Sequence, residues 1–460
     1  MNEKMIKLVP KLNLGTSFVN RFEGFFICIN TDFNSSYANM NESAPKYDIV
    51  VIGGGPAGMM AAGQAALLGK SVLLLEKMRH PGMKLGITGK GRCNLTNQTN
   101  LDDFLRHFGK NGRFLKPAFH IFFVDQLRSF LSSIGIPTKI ERGNRVFPDG
   151  VPAPRVSRTL KDWIIDTGVI IKTLSPVSKI LVNNGKAEGV KLAGSEIVIH
   201  ANNVVLATGG KSYPRTGSTG DGYLLAAEVG HRIIKPQPSL VPLEIDAPFF
   251  VKIDGLNLKN VNASVWIDRK KTSREFGEMS FTDFGVTGPI ILTLSKIVVE
   301  AIKHKKSIQL SIDLKPALDH LQLDRRLLRD FHQFPNMSFY NILKKLLPSQ
   351  LIPVCMQQLK IPAQKPGSQI TGYERKHLRL WLKDFHFPVT GHRPIDEAII
   401  TSGGIDLREV HSKTMESRII NNLYFAGEVL DIDADTGGYN LQAAFSTGYL
   451  AGISAAIVPA

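Results

Sequence analysis

The chain has 460 residues, 43% hydrophobic and 21% charged, a balance that suits a globular protein of roughly two or three domains. Three cysteines (Cys28, Cys93 and Cys355) without a CxxC spacing exclude a disulfide scaffold, a thiol–disulfide redox centre and a cysteine zinc site. A net charge of +16 admits nucleic acid, a membrane surface or acidic small molecules, but the basic residues are scattered and their densest run, Lys303 to Lys306, is short.

A solvated surface is therefore the plainer reading of the charge, with nucleic acid disfavoured as a partner. No apolar stretch reaches the ~18 residues that cross a bilayer, so no membrane span is expected. Phe25 to Ile29 is too short for a signal-peptide core, and a reducing cytoplasm is the simplest home. Residues 1–45 lack sustained periodicity and read as a disordered extension. Met40 lies just ahead of the first strand and rivals Met1 as a translation start.

Asp48 to Ile52 is a short, β-branched apolar run and reads as a buried strand. Gly53, Gly55 and Gly58 follow at GxGxxG spacing, with Pro56 and Ala57 between them. An Ala/Met/Leu-rich helix then runs to Leu68, with Gly69 as its stop. Ser71 to Leu75 is a second strand, closed by Glu76 and Lys77. In such a unit the first glycine permits the tight turn and the second lets a pyrophosphate approach the backbone. The third lets helix and strand pack closely. The helix N-terminus favours the anion, and Glu76 is placed to accept from ribose hydroxyls. That carboxylate disfavours a 2′-phosphate, so NAD or FAD is expected rather than NADP.

The loop Pro81 to Asn97 gathers donors beside that turn: Lys84, Gly91, Arg92 and Asn94. Arg92 is placed to clamp a phosphate or face a flavin, and Asn94 to hydrogen-bond its ring; solvated loop charges are the alternative. Cys93 has no cysteine near it and reads as buried and inert. Helical patterns follow near Leu101 to Phe108 and Phe119 to Ile134. Around Val177 to Ile199, two alternating runs flank a hairpin signal at Asn183 to Lys186. Val204 to Leu206 then runs into Ala207, Thr208, Gly209 and Gly210, a second glycine-backed strand end.

Residues 241–314 read as a β-rich insert, including Ala263 to Ile267 and Ser307 to Leu314. Residues 315–394 read as a helical insert broken at Pro335, Pro348, Pro353, Pro362 and Pro366. Leu423 to Ala426 is a strand ending in Gly427 and Glu428, followed by Asp431 and then by Gly438, Asn440, Leu441 and Gln442 at the start of a final helix. A carboxylate after that strand suits ribityl hydroxyls, and the helix N-terminus suits the anionic edge of a reduced flavin. The fold expected is α/β: a Rossmann-like FAD/NAD(P)-binding domain, 46–240 plus 395–460, interrupted by the two inserts. FAD is long and needs contacts at both ends, which NAD alone would leave unexplained at the C-terminal string. No second strand–GxGxxG–helix unit exists, so an NAD(P)H donor would have to enter the substrate cleft. Twelve histidines show no HExxH or other metal spacing, and no metal site is proposed.

Taken together, the strings GGGPAG, ITGKGRCNLTN, RVFPDG, LATGGKSYPRTGSTGDGY, GEMSFTDFGVTGP, TSGGIDLREV, KTMESR and LYFAGEVLDIDADTGGYNLQAAFSTGY resemble the BaiN-like family of FAD-dependent oxidoreductases, also labelled the aminoacetone oxidase family. The resemblance spans about 47–450 and implies bound FAD, a β-barrel-like insert, a helical insert and redox chemistry in a cleft between domains. It places the AMP half at the glycines and Glu76. The flavin half falls at Gly427, Glu428 and Gly438 to Gln442, and Val177 joins the cofactor candidates. One departure stands out: the family more often has histidine where Asp283 stands and serine at Thr287.

The activity expected is hydride transfer from NAD(P)H through the flavin to an unsaturated small molecule. Tyr439 and Asp283 are the candidate proton donors, each with packing or turn-capping as its plainer role. Three alternatives stay open: an amine oxidase using oxygen, an RNA-modifying flavoenzyme, and a non-catalytic flavin-binding protein.

Overall fold

The computed structural model describes residues 46–247 and 250–457. The extension expected over residues 1–45, with Met40 and Cys28, lies outside the described residues.

Strand β1 (Lys46–Ile52) leads through a glycine turn into α1 (Pro56–Leu67) and back into β2 (Val72–Leu75). β1 pairs in parallel with β2 on one side and with β3 (Val198–Leu206) on the other, so that Ile52 stands opposite both Leu75 and Leu206. Three strand ends therefore finish side by side, the place where open α/β sheets bind ligands. The short strand Ile170–Lys172 extends the sheet beyond β2. β3 is shared: its first half pairs antiparallel with Lys186–Leu192, its last three residues in parallel with β4 (Leu423–Phe425). Asn184 and Gly185 take positive φ (48° and 72°) in the hairpin turn that joins Val177–Asn183 to Lys186–Leu192.

Because both faces of this sheet are covered, its strands read as continuous apolar runs rather than alternating ones. The first helix, PAGMMAAGQAAL, is buried nearly all round, which its small apolar residues allow. It lies against α2 (Tyr439–Ile457), a helix of the same composition. A Cβ at Gly448 would come within 3.0 Å of the Ala57 carbonyl, and one at Gly452 within 3.0 Å of the Ala61 carbonyl. Backbone meets backbone there, and only glycine fits.

The inserted sheet is antiparallel, in the order Phe385–Pro388, Ile308–Asp313, Asn257–Ile267, Lys270–Thr282, Gly285–Thr287, Leu243–Glu244, Gly391–His392. Its two edge strands are consecutive in the chain, joined by Val389 and Thr390, so the sheet curls back on itself. A second core, from Leu243 to Val389, lies within it and beneath the helices His320–Gln333, Phe339–Leu343, Leu351–Leu359 and Gly372–Lys383.

Three sequence expectations need correction. The segment read as β-like holds a helix, Pro289–Lys303, whose Ile/Leu/Val run also suits a strand; Gly288 (φ 98°) and Pro289 at the first position start it. The pattern Phe119 to Ile134 breaks at Phe122, whose carbonyl accepts from Gln442 and Ser446 instead of continuing a helix. Pro353 does not break its helix, since it sits in the first turn, where its missing N–H has no intrahelical partner.

Replacing Gly448 with valine should cost on the order of 1–3 kcal/mol of stability by overpacking. Urea denaturation reads this, and an unchanged midpoint would refute the close helix contact. Burial holds the His231 imidazole below its ordinary range, against the opposing pull of Glu409; its ring nitrogens face Glu409 (3.2 Å) and the Ser417 hydroxyl (2.9 Å). The unfolded chain thus binds this proton more readily, and stability should fall as pH drops below about 6.5. A His231→Gln variant should show a shallower decline in melting temperature across that window.

Candidate functional site

The turn after β1 separates glycines that the fold requires from one it does not. Gly53 has φ 102°, and a Cβ there would sit 2.6 Å from the Ala207 carbonyl. A Cβ at Gly58 would collide with the Gly53 carbonyl. At Gly55, with φ −75°, a Cβ would meet nothing within 4 Å. Neither backbone conformation nor packing explains that glycine. Pro56 occupies the first helical position, and the first turn closes with Met59 N–H donating to the Gly55 carbonyl. The N–H groups of Ala57 and Gly58 precede that bond and have no intrahelical acceptor. Free N–H groups at a helix N-terminus are the kind that suit an anion.

Glu76 is 9% exposed; its two oxygens accept from the N–H groups of Gly54 (2.8 Å) and Met78 (2.7 Å). Lys77 is turned to Asp221 (2.5 Å) and Thr219. Val177 opens its strand beside Ser175, whose N–H donates to the Glu76 carbonyl (3.0 Å). Ala207 N–H donates to the Ile52 carbonyl (2.8 Å), Gly209 takes φ 75°, and a Cβ at Gly210 would clash with Thr401 and Glu428. Glu428 itself accepts from Lys84 (2.9 Å), Thr401 N–H (2.8 Å) and the Ser212 hydroxyl (3.3 Å). Lys84 and Glu428, both singled out in the sequence, thus meet each other.

Gly91 (φ 84°) leaves its surroundings open, but Arg92 points to Glu141 (2.5 Å) and stacks over Phe147 (4.3 Å) rather than lying free for a phosphate. The oxygens Asn94 Oδ1, Thr96 Oγ1 and Thr208 Oγ1 are buried without a hydrogen-bond partner. Buried polar atoms are seldom left unpaired. Cys93 is buried, and desolvation pushes its thiol up to about 11, which fits an inert role.

At the C-terminal end, Gly427 packs on Ala57 and Gly438 (φ 97°) on the backbone of Thr96, so the two loops share one wall. Asp431 accepts from Asn111 (3.2 Å) and Gly403 N–H (3.1 Å); burial, with Asp433 nearby, pushes its carboxyl up. The Asn440 side-chain amide bridges Ala434 N–H and C=O (2.8 and 2.9 Å). Gln442 is fully buried, with its amide nitrogen on the Phe122 carbonyl (3.4 Å) and Ser446 (3.0 Å). Leu441 packs on the main core. Asp283 stands exposed in the two-residue turn between Lys270–Thr282 and Gly285–Thr287. Among the described residues no hydrogen bond or ion pair joins it to Tyr439.

Tyr439 instead belongs to a group the sequence did not reveal. Its ring stacks on His107 (3.9 Å between centroids, 21°) and meets Phe104 edge-on (4.7 Å). His107 Nδ1 faces Asp435 at 2.8 Å. Burial, then the charges of Asp435 and Asp103, raise the Tyr439 hydroxyl to about 12. Glu275, from the inserted sheet, is held above the ordinary carboxylate range by burial and by Asp435, with His107 opposing. The insert also grips this loop through Lys296–Asp433 (2.9 Å) and Thr293–Thr436 (3.3 Å). No short-range signal could have paired residues as distant as His107 and Asp435.

The HI0933-like protein Rossmann domain family matches residues 47–454. A 3-dehydro-bile acid delta(4,6)-reductase from Clostridium scindens is 30% identical over 419 residues, 89% of this chain and 99% of that protein. A ribosomal RNA dihydrouridine synthase from Haemophilus influenzae is 30% identical over 410 residues, 88% of this chain and 97% of that protein. Among solved structures, a 3-ketosteroid delta1-dehydrogenase from Sterolibacterium denitrificans covers 89% of this chain and 99% of its own, at 14% identity and TM-score 0.50, a likeness of fold.

Proposed function

The chain belongs to the HI0933-like Rossmann-domain family, as its likeness to the BaiN-like oxidoreductases implies, and from that premise we propose an FAD-dependent reductase of a carbon–carbon double bond conjugated to a carbonyl. The supporting observation is Gly55: a glycine that neither packing nor dihedral angle requires, at the N-terminus of a buried helix. Bound FAD supplies hydride transfer. The first-turn N–H groups of α1 hold its pyrophosphate, and the spare lone pairs of Glu76 accept from its ribose. Asn94 Oδ1, Thr96 and Thr208, buried and unpaired, take donors of the ligand.

Adding hydride to one carbon of the double bond leaves the other needing a proton. The Tyr439 hydroxyl keeps its proton at neutral pH and is the donor in this reading. The His107–Asp435 pair behind its ring is positioned to fix the ring.

Two relatives support the choice of bond. Their names describe, for one, a steroid delta(4,6) reduction and, for the other, conversion of uridine to dihydrouridine. Both substrates carry a double bond in conjugation with a carbonyl. A small molecule is the first reading of the acceptor. A uridine base in RNA is the second, favoured by the Haemophilus relative and a net charge of +16. NAD(P)H is the proposed donor and enters the same cleft.

Anaerobic mixing of the FAD-loaded protein with NADH or NADPH should bleach the flavin. An α,β-unsaturated ketone or a uridine-containing RNA should then restore its colour. No bleaching by either donor would refute the reading. Recolouring by oxygen alone, with peroxide release, would favour the oxidase alternative.

A further inference from the structure

Helix His320–Gln333 buries Leu323, Leu327 and Phe331 and turns a second face outward. Gln322, Arg325, Arg326 and Arg329 recur there at three- and four-residue steps and so form one stripe. With Phe334 and Lys345 the stripe lines a shallow concavity of about 900 Å³. Asp330 is the single carboxylate in that lining. Its oxygens pair with the Arg326 and Arg329 guanidiniums at 3.7 Å, beyond hydrogen-bond length, so one carboxylate is shared between two of the three arginines. Arg329 is 71% exposed, and among the described residues neither Arg325 nor Lys345 has a carboxylate partner. Lys345 lies 4.3 Å from the Phe334 ring centroid. Burial and the nearby Arg326 hold the Lys315 ammonium below its ordinary range, so positive charge is already crowded here.

Like charges at three- and four-residue spacing on a helix repel, and the redox site makes no use of them. We propose that this face is a binding surface for the phosphate backbone of RNA. Guanidiniums match phosphate oxygens in pairs and hold their charge at any physiological pH. From Gln322 to Gln333 the stripe runs ~16 Å at 1.5 Å per residue, longer than one phosphate group requires and suited to a strand. This inference rests on the RNA reading of the acceptor and adds where the nucleic acid is held.

The test is fluorescence anisotropy of a labelled uridine-rich RNA titrated with the FAD-loaded full chain at low and moderate salt. Changing Arg325, Arg326 and Arg329 together to glutamate should weaken binding at least tenfold. The logarithmic salt slope should flatten by roughly 2, about 0.7 per lost single-strand contact. FAD uptake should be unchanged; because glutamates at 326 and 329 would face the buried Asp330 and lower the melting temperature, an R325Q/K345Q variant, which keeps both Asp330 pairs, should also weaken binding and flatten the slope. Tight RNA binding unaltered by the substitutions would overturn the groove while leaving the RNA reading intact. No RNA binding by the unsubstituted chain would overturn both. Displacement of the RNA by an equal concentration of inorganic pyrophosphate would mark a small-anion site and also overturn the proposal.

Discussion

The approach of α1 to α2 is the contact on which the rest depends. Two helices can touch backbone to backbone only where side chains are missing, and Gly448 and Gly452 lie against the carbonyls of Ala57 and Ala61. That contact sets Gly427 on Ala57 and brings Gly438 to Thr96. Two loops from opposite ends of the chain thereby become one surface. Hydrophobic burial alone would not achieve this, since larger apolar residues would bury more area and hold the helices farther apart.

Around that shared wall, polar groups fix the C-terminal loop from several directions. Asp431 is tied to Asn111 and Gly403, Asp433 to Lys296, Ser239 and Ser402, and Asp435 to His107. Lys296 and Thr293 come from a helix of the insert, so the insert takes part in shaping the loop rather than merely standing beside it. Each of these three carboxylates has a partner, as the cost of an isolated buried charge demands. The result is a rigid seat for Tyr439, whose ring is held on one face by His107 and at its edge by Phe104.

What could be read in the sequence was what short-range pattern encodes. The β1–α1–β2 unit and the strand before Gly427 announce themselves through apolar runs and glycine spacing, and the inserts through a change of period. Ile/Leu/Val-rich stretches were ambiguous, and Pro289–Lys303 proved helical because it packs on the inserted sheet. Residue type alone does not say which partner a side chain takes. The fold gives the Asn440 and Gln442 side chains to Ala434 and Phe122. Arg92 is committed to Glu141. Nothing local distinguishes His107, Asp435 and Glu275; only the fold makes them neighbours.

Gly55 offers the most direct test of the central claim. Leucine there should leave the fold untouched, since its Cβ meets no protein atom within 4 Å and φ is an ordinary −75°. It should nonetheless fill the space at the α1 N-terminus. Visible absorbance after incubation with FAD, beside a melting curve, reads both effects. The account predicts a yellow parent protein and a colourless variant of equal melting temperature. A variant that takes up FAD as well as the parent, or a folded parent that takes up none, would contradict it.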